Sequence, residues 1–73
     1  IPASDKVTVK WDKNVIEVIS ISLQDINGKS VLNPDADFKG NQYDIDVNNL
    51  ESGVYFIQLK HSNGIVNKKI VIQ

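Results

Sequence analysis

The stretch from Asp35 to Asp46, Asp-Ala-Asp-Phe-Lys-Gly-Asn-Gln-Tyr-Asp-Ile-Asp, comes nearest to a chemical site. It almost spells a calcium loop, with Asp at the first and third positions, Gly at the sixth and an acid at the twelfth. Hard cations need oxygen ligands that converge. Here Lys39 puts an ammonium at the fifth position, no helix pattern flanks the loop, and Asp46 replaces the usual Glu. The residues therefore read as a polar loop feeding a strand whose outer face carries Asp44 and Asp46, with no metal or other cofactor. His61 is the only histidine and cysteine is absent, so it lacks a partner for a metal or a catalytic triad. It is expected exposed, beside a turn. Ser4, Ser20, Ser22, Ser30, Ser52 and Ser62 include no Gly-x-Ser-x-Gly elbow, and a serine without an adjacent base is not a nucleophile. Paired carboxylates fall only in the loop or on the outer strand face, with nothing to push their pKa values apart. No glycine loop could cradle a phosphate. The chain reads as a non-enzyme.

Binding chemistry rests on the aromatics. Trp11, Phe38, Tyr43, Tyr55 and Phe56 could form a sugar platform, but at period-two spacing such residues more often pack a core. Tyr55 is expected in the core. The exposure of Trp11 and Phe38 decides the matter, and a cleft with coplanar exposed rings would favour sugar.

The elements that must position these residues are strands. Gly53 to Lys60 alternates, with Tyr55, Ile57 and Leu59 on one side. Asn63-Gly64 follows and predicts a type I′ turn, whose two central residues need φ > 0. Ile65 to Gln73 returns as the second strand of a long hairpin, which must lie on other strands to be stable. Upstream, Val7, Val9 and Trp11 alternate with Thr8, Lys10 and Asp12, and Asp12-Lys13-Asn14 is a polar turn. Val15 to Asp25 is a long β segment. Ile19, Ile21 and Leu23 share one face, while Val15 to Val18 is apolar on both parities, which suggests a bend, a bulge or two-sided burial. Asn27-Gly28 signals a second tight turn, into a short strand at Lys29–Leu32. Asn33-Pro34-Asp35 opens a loop that runs to about Asn41. Gln42 to Val47 follows, with Tyr43, Ile45 and Val47 inward. Residues 48–53 turn into the final hairpin, with Leu50 expected to plug the end of the core. Six or seven short strands and no convincing helix predict a small antiparallel β-sandwich, immunoglobulin-like in outline.

Seventy-three residues make one domain with a thin margin of stability. Hydrophobic residues at 41% suffice for a core, and nine acidic against eight basic residues leave a net charge of −1. That balance argues against a nucleic-acid partner, which would demand a basic surface. No apolar run approaches the ~20 residues of a membrane span, and no signal-peptide pattern opens the chain. The start at Ile1-Pro2 predicts a piece of a longer protein.

Four pieces, in order, resemble the type A C-terminal sorting domain of the type IX secretion system, the Por secretion family of Bacteroidetes. Pro2-Ala3-Ser4-Asp5-Lys6-Val7 is similar to the family's opening Asn-Pro-Ala segment and first strand. Ile21 to Lys29, with Gly28-Lys29, is similar to its central strand and turn. Leu50-Glu51-Ser52-Gly53-Val54-Tyr55-Phe56-Ile57 resembles its Leu-x-x-Gly-Val-Tyr-Phe signature. Asn63-Gly64 with Lys68 to Gln73 resembles its closing strand. Two positions depart: Ile1 stands where Asn is usual, and Gln24 where an aromatic is common.

The resemblance implies a seven-stranded sandwich spanning residues 1–73 that serves as an address label at the end of a secreted protein. The label directs the cargo through the periplasm and across the outer membrane, to the cell surface or beyond, and is usually cleaved off afterwards. The implied partners are the type IX secretion machinery and its C-terminal signal peptidase. The implied recognition residues are Gly53, Val54, Tyr55, Lys68, Lys69, Ile70, Val71 and Ile72. Strand parity adds that Lys68 and Lys69 point to opposite faces, so at least one ammonium is exposed. Unpaired edge strands could also pair two copies of the chain. The alternative function is a carbohydrate-binding or adhesive β-sandwich module of a cell-surface protein.

Overall fold

The computed structural model describes residues 2–3, 5–12, 14 and 17–73, the first two in backbone only. Seven strands follow in chain order: β1 (Pro2–Ala3), β2 (Lys6–Lys10), β3 (Val18–Gln24), β4 (Ser30–Leu32), β5 (Gln42–Asp46), β6 (Gly53–His61) and β7 (Gly64–Ile72). No helix occurs among the described residues. The strands form a five-stranded sheet, ordered β1-β7-β6-β3-β4, and a two-stranded sheet, β2-β5. Every pairing is antiparallel except the two-residue contact of β1 with β7, which is parallel. The architecture is that of a small β-sandwich.

Period-two alternation builds the core. Tyr55, Ile57 and Leu59 of β6 are buried, as are Ile70 and Ile72 of β7 and Ile21 and Leu23 of β3. Val7 of β2 and Ile45 of β5 close over them from the second sheet, with Val47 just beyond β5. Tyr43 is only half-buried, at the rim. Leu50 packs on the end of this cluster, as expected. Its N–H donates to the Val47 carbonyl at 3.0 Å, closing the turn before β6.

Two expectations fail for geometric reasons. Ile19 is not a core residue: it is 58% exposed. Val18 pairs with His61 and Ser20 with Lys60, so Ile19 is the extra residue of a β-bulge. The bulge restores Val18 to the core side and puts Ile19 out. It lies one residue past the run that is apolar on both parities. Val15 and Ile16 of that run lie outside the described residues, as does Lys13. The second failure is the Asn63-Gly64 turn. His61 pairs with Gly64, so the central residues are Ser62 and Asn63, and neither has positive φ. The loop is not type I′. Gly64 takes φ +154 instead, just after the turn.

The other glycine turn follows a different rule. Asp25 accepts from the Gly28 N–H at 3.0 Å through its carbonyl, and its own N–H donates to the Lys29 carbonyl at 2.9 Å. Its carboxylate also accepts from the N–H groups of Asn27 and Lys29. Gly28, at φ +82, supplies the left-handed residue that a three-residue hairpin loop needs.

Candidate functional site

The terminal hairpin brings the two signature segments together residue for residue. Gly53 faces Ile72, Val54 faces Val71 and Tyr55 faces Ile70. Tyr55, Ile70 and Ile72 turn into the core, while Val54 and Val71 lie half-buried on the outer face. Gly53 opens the hairpin at φ +154, a conformation that side chains other than glycine's rarely adopt. A Cβ there would meet only the Tyr55 ring at 3.9 Å, so the requirement comes from the backbone and not from crowding. The Tyr55 hydroxyl donates to the Glu51 carbonyl at 2.7 Å. This tie anchors the turn to the strand it feeds, in the manner of the tyrosine corners of β-sandwiches.

Lys68 and Lys69 lie opposite Ile57 and Phe56. They point to opposite faces, as parity requires, and both are exposed. Lys69 is on the outer face. Lys68 is on the core face, between Val66 and Ile70, yet remains open to solvent because the second sheet does not extend over β7 there. β1 covers the edge of β7 only at Val71 and Ile72. Among the described residues no strand pairs with the rest of that edge.

The strip of β6 and β7 beyond the second sheet forms one wall of a cleft of about 430 Å³. Val7, Val9 and Trp11 form the opposite wall, and Lys10, Lys68 and His61 stand around it. His61 is half-buried rather than exposed, and its Nδ1 accepts from the Asn63 N–H at 3.2 Å. Sequence reasoning missed this cleft. The one available signal was Ile65-Val66, adjacent apolar residues in an alternating strand, of which both faces turn out about half exposed (55% and 54%).

The aromatics do not make a flat platform. Trp11 is half-buried and its Nε1 donates to the Gly40 carbonyl at 3.2 Å. Phe38 meets Tyr43 edge-on, with centroids 5.0 Å apart and planes at 81°. The acidic loop is likewise spent locally. Lys39 pairs with Asp37 at 3.2 Å, and Asp46 accepts from the Asn48 N–H. Asp44 accepts from the Thr8 hydroxyl at 2.6 Å, with Lys6 at 3.6 Å. The Thr8 hydrogen bond, aided by Lys6, holds the Asp44 carboxyl below its usual pKa against an opposing desolvation. No three potential metal ligands converge among the described residues.

A family model described as a secretion system C-terminal sorting domain matches residues 1–73, the whole chain. No curated protein and no solved structure matches significantly.

Proposed function

We propose, from the premise that the chain belongs to the secretion system C-terminal sorting domain family, that the export machinery reads it through the hairpin of β6 and β7. A domain of this family is a C-terminal sorting signal for type IX secretion. The protein that bears it is exported and then secreted or attached to the cell surface. The family is not a catalytic one, and our reading assigns this chain no reaction.

One observation carries the assignment of the hairpin. Residues 53–55 and 70–72 are paired strands of one structural unit, and the two cations next to them are exposed on opposite faces. Burial of Ile70 and Ile72 fixes the strand, each contributing about 1.5–3 kcal/mol. The fixed strand then presents Lys68 and Lys69 at known positions, where an acidic receptor surface can meet them. In this reading the chain is the tail of a longer cargo protein, and a signal peptidase of the system removes it after export. Self-association of two copies would use the uncovered part of the β7 edge.

The test is a fusion of residues 1–73 to a periplasmic reporter in a type IX-competent bacterium. Lys68→Ala/Lys69→Ala is expected to leave circular dichroism unchanged and to impair export. Normal export of the double variant would reduce the lysines to a solvated edge and overturn the assignment.

A further inference from the structure

The two sheets are unequal, and the mismatch leaves a place for one more strand. β5 lies over the β4 side of the large sheet, beside Leu32 and Pro34. β2 lies next, facing β6 and β7. Nothing among the described residues takes the following position, over β7. That position is the cleft, and no residue of β5 lines it.

The edge of β2 that no described strand covers is set up for pairing. The Trp11 N–H donates to the Asn41 carbonyl and the Val47 N–H to the Asp5 carbonyl, each at 2.9 Å. Both bonds continue the β2-β5 register, in which Lys6 faces Asp46 and Lys10 faces Gln42. Main-chain groups alternate along an antiparallel strand. Val7 and Val9 therefore direct theirs to β5, whereas Lys6, Thr8 and Lys10 direct theirs away from it, into the slot. No described residue bonds to those outward groups.

The chemistry of the slot selects its occupant. Its sides are apolar, formed by Val9 and Trp11 on one sheet and Leu59, Val66 and Ile70 on the other. Lys10 and Asp12, of opposite charge, stand on the β2 side, and Lys68 is the cation that projects from the middle of the apolar β6-β7 strip. We infer that the slot receives an extended peptide segment from a partner, which adds as a strand to the free edge of β2, turns apolar residues inward and sets a carboxylate against Lys68. Added main-chain hydrogen bonds supply affinity, and the inward residues supply selectivity. At ~3.3 Å per residue, the length of β2 accommodates about five residues of such a strand. The charge on Lys68 works in both directions. It discourages a wholly apolar strand from docking on this edge, and it rewards one that brings an acid.

Trp11 is the only tryptophan and lines the slot, so its emission reports occupancy. The probe is the capped peptide Thr-Val-Thr-Glu-Thr-Val-Thr, titrated against the purified 73-residue chain, with a counterpart carrying Lys at its centre. The Glu peptide is expected to bind saturably, and at least about tenfold tighter than the Lys peptide. Lys68→Ala should erase that preference, whereas Lys69→Ala, on the other face, should keep it. Amide exchange at Lys6, Thr8 and Lys10 should slow on binding. Equal binding of the two peptides, no saturable change, or protection confined to other strands would each overturn the inference. So would equally tight occupation by a fatty acid, or a dimer of the chain that excludes the peptide. The titration needs no export machinery, so its failure leaves the hairpin assignment standing, and a failed export assay leaves the slot standing.

Discussion

Removing Ile70–Gln73 should unfold the domain, and the size of the effect follows from burial. Ile70 and Ile72 are 1% and 2% exposed. Together their burial contributes about 3–6 kcal/mol. A core built from a chain of this length supplies only ~3–5 kcal/mol of net stability. The deletion also removes the facing partners of Gly53, Val54 and Tyr55, and the only residues on which β1 pairs. The loss therefore equals or exceeds the whole margin. Urea titration followed by far-ultraviolet circular dichroism should show no cooperative transition for residues 1–69, and export of the reporter fusion should stop. Lys68→Ala/Lys69→Ala on the full chain should cost no more than about 0.5 kcal/mol, because both side chains are exposed. A truncated chain that unfolds cooperatively at the parent's midpoint would refute the burial argument. Normal export of the truncation would move the signal out of β7.

Three further outcomes follow from local geometry. Gly53→Ala should destabilise by about 1 kcal/mol or more, since alanine rarely adopts φ +154; an unchanged urea midpoint would contradict this. Ile19→Thr should cost less than about 0.5 kcal/mol, while Ile21→Ala, two residues on, should cost about 2–5 kcal/mol; equal costs would remove the bulge from the explanation. The Asp44 carboxyl is depressed by Thr8 and then Lys6, so its contribution to stability is complete above the unfolded pKa and is lost as pH falls through the lower, folded one. Thr8→Val should shift its carboxyl titration upward by nuclear magnetic resonance, and an unmoved titration would discount the hydrogen bond.

The terminal hairpin was legible because two local signals agree there. Tyr55, Ile57 and Leu59 keep strict alternation, and Asn63-Gly64 marks where the chain reverses. The same signals locate the reversal only to within one residue. Asn-Gly can form the turn itself or straddle its exit, and here Gly64 is already the first residue of β7. Ile19 was misread because a bulge inserts one residue, and every parity argument upstream of it then flips face. The division into five and two strands was not legible at all. Alternation says which face of a strand is buried but not which strand lies beside it, so the pairing of β2 with β5 across the intervening chain leaves no local trace. The cleft was hidden for the same reason: it arises because no described strand lies over β7, and not from any motif.

The positions of the eight residues proposed for recognition raise a question of mechanism that the sequence could not pose. Tyr55, Ile70 and Ile72 are buried, so no partner can touch them while the domain is folded. Lys68 and Lys69 are open, and Gly53, Val54 and Val71 are partly so. If the machinery reads the folded domain, the buried members of the motif specify the hairpin and the exposed ones carry the signal. If it reads a released strand, all of them count. A staple separates the two. The two-residue loop closes on His61 and Gly64, so alternation makes Gln58 and Asn67 a pair without mutual hydrogen bonds. Such pairs bring Cα atoms to about 4.5 Å, within the ~4.4–6.8 Å that a disulfide spans. Residues 1–73 contain no cysteine to compete. Gln58→Cys/Asn67→Cys should oxidise in the periplasm and lock β7 onto β6 while leaving both lysines exposed. Export equal to the parent's is the expected result, because the folded surface is intact. Export that fails only in the oxidised form, and returns in either single-cysteine variant, would show that β7 must leave the sheet to be read.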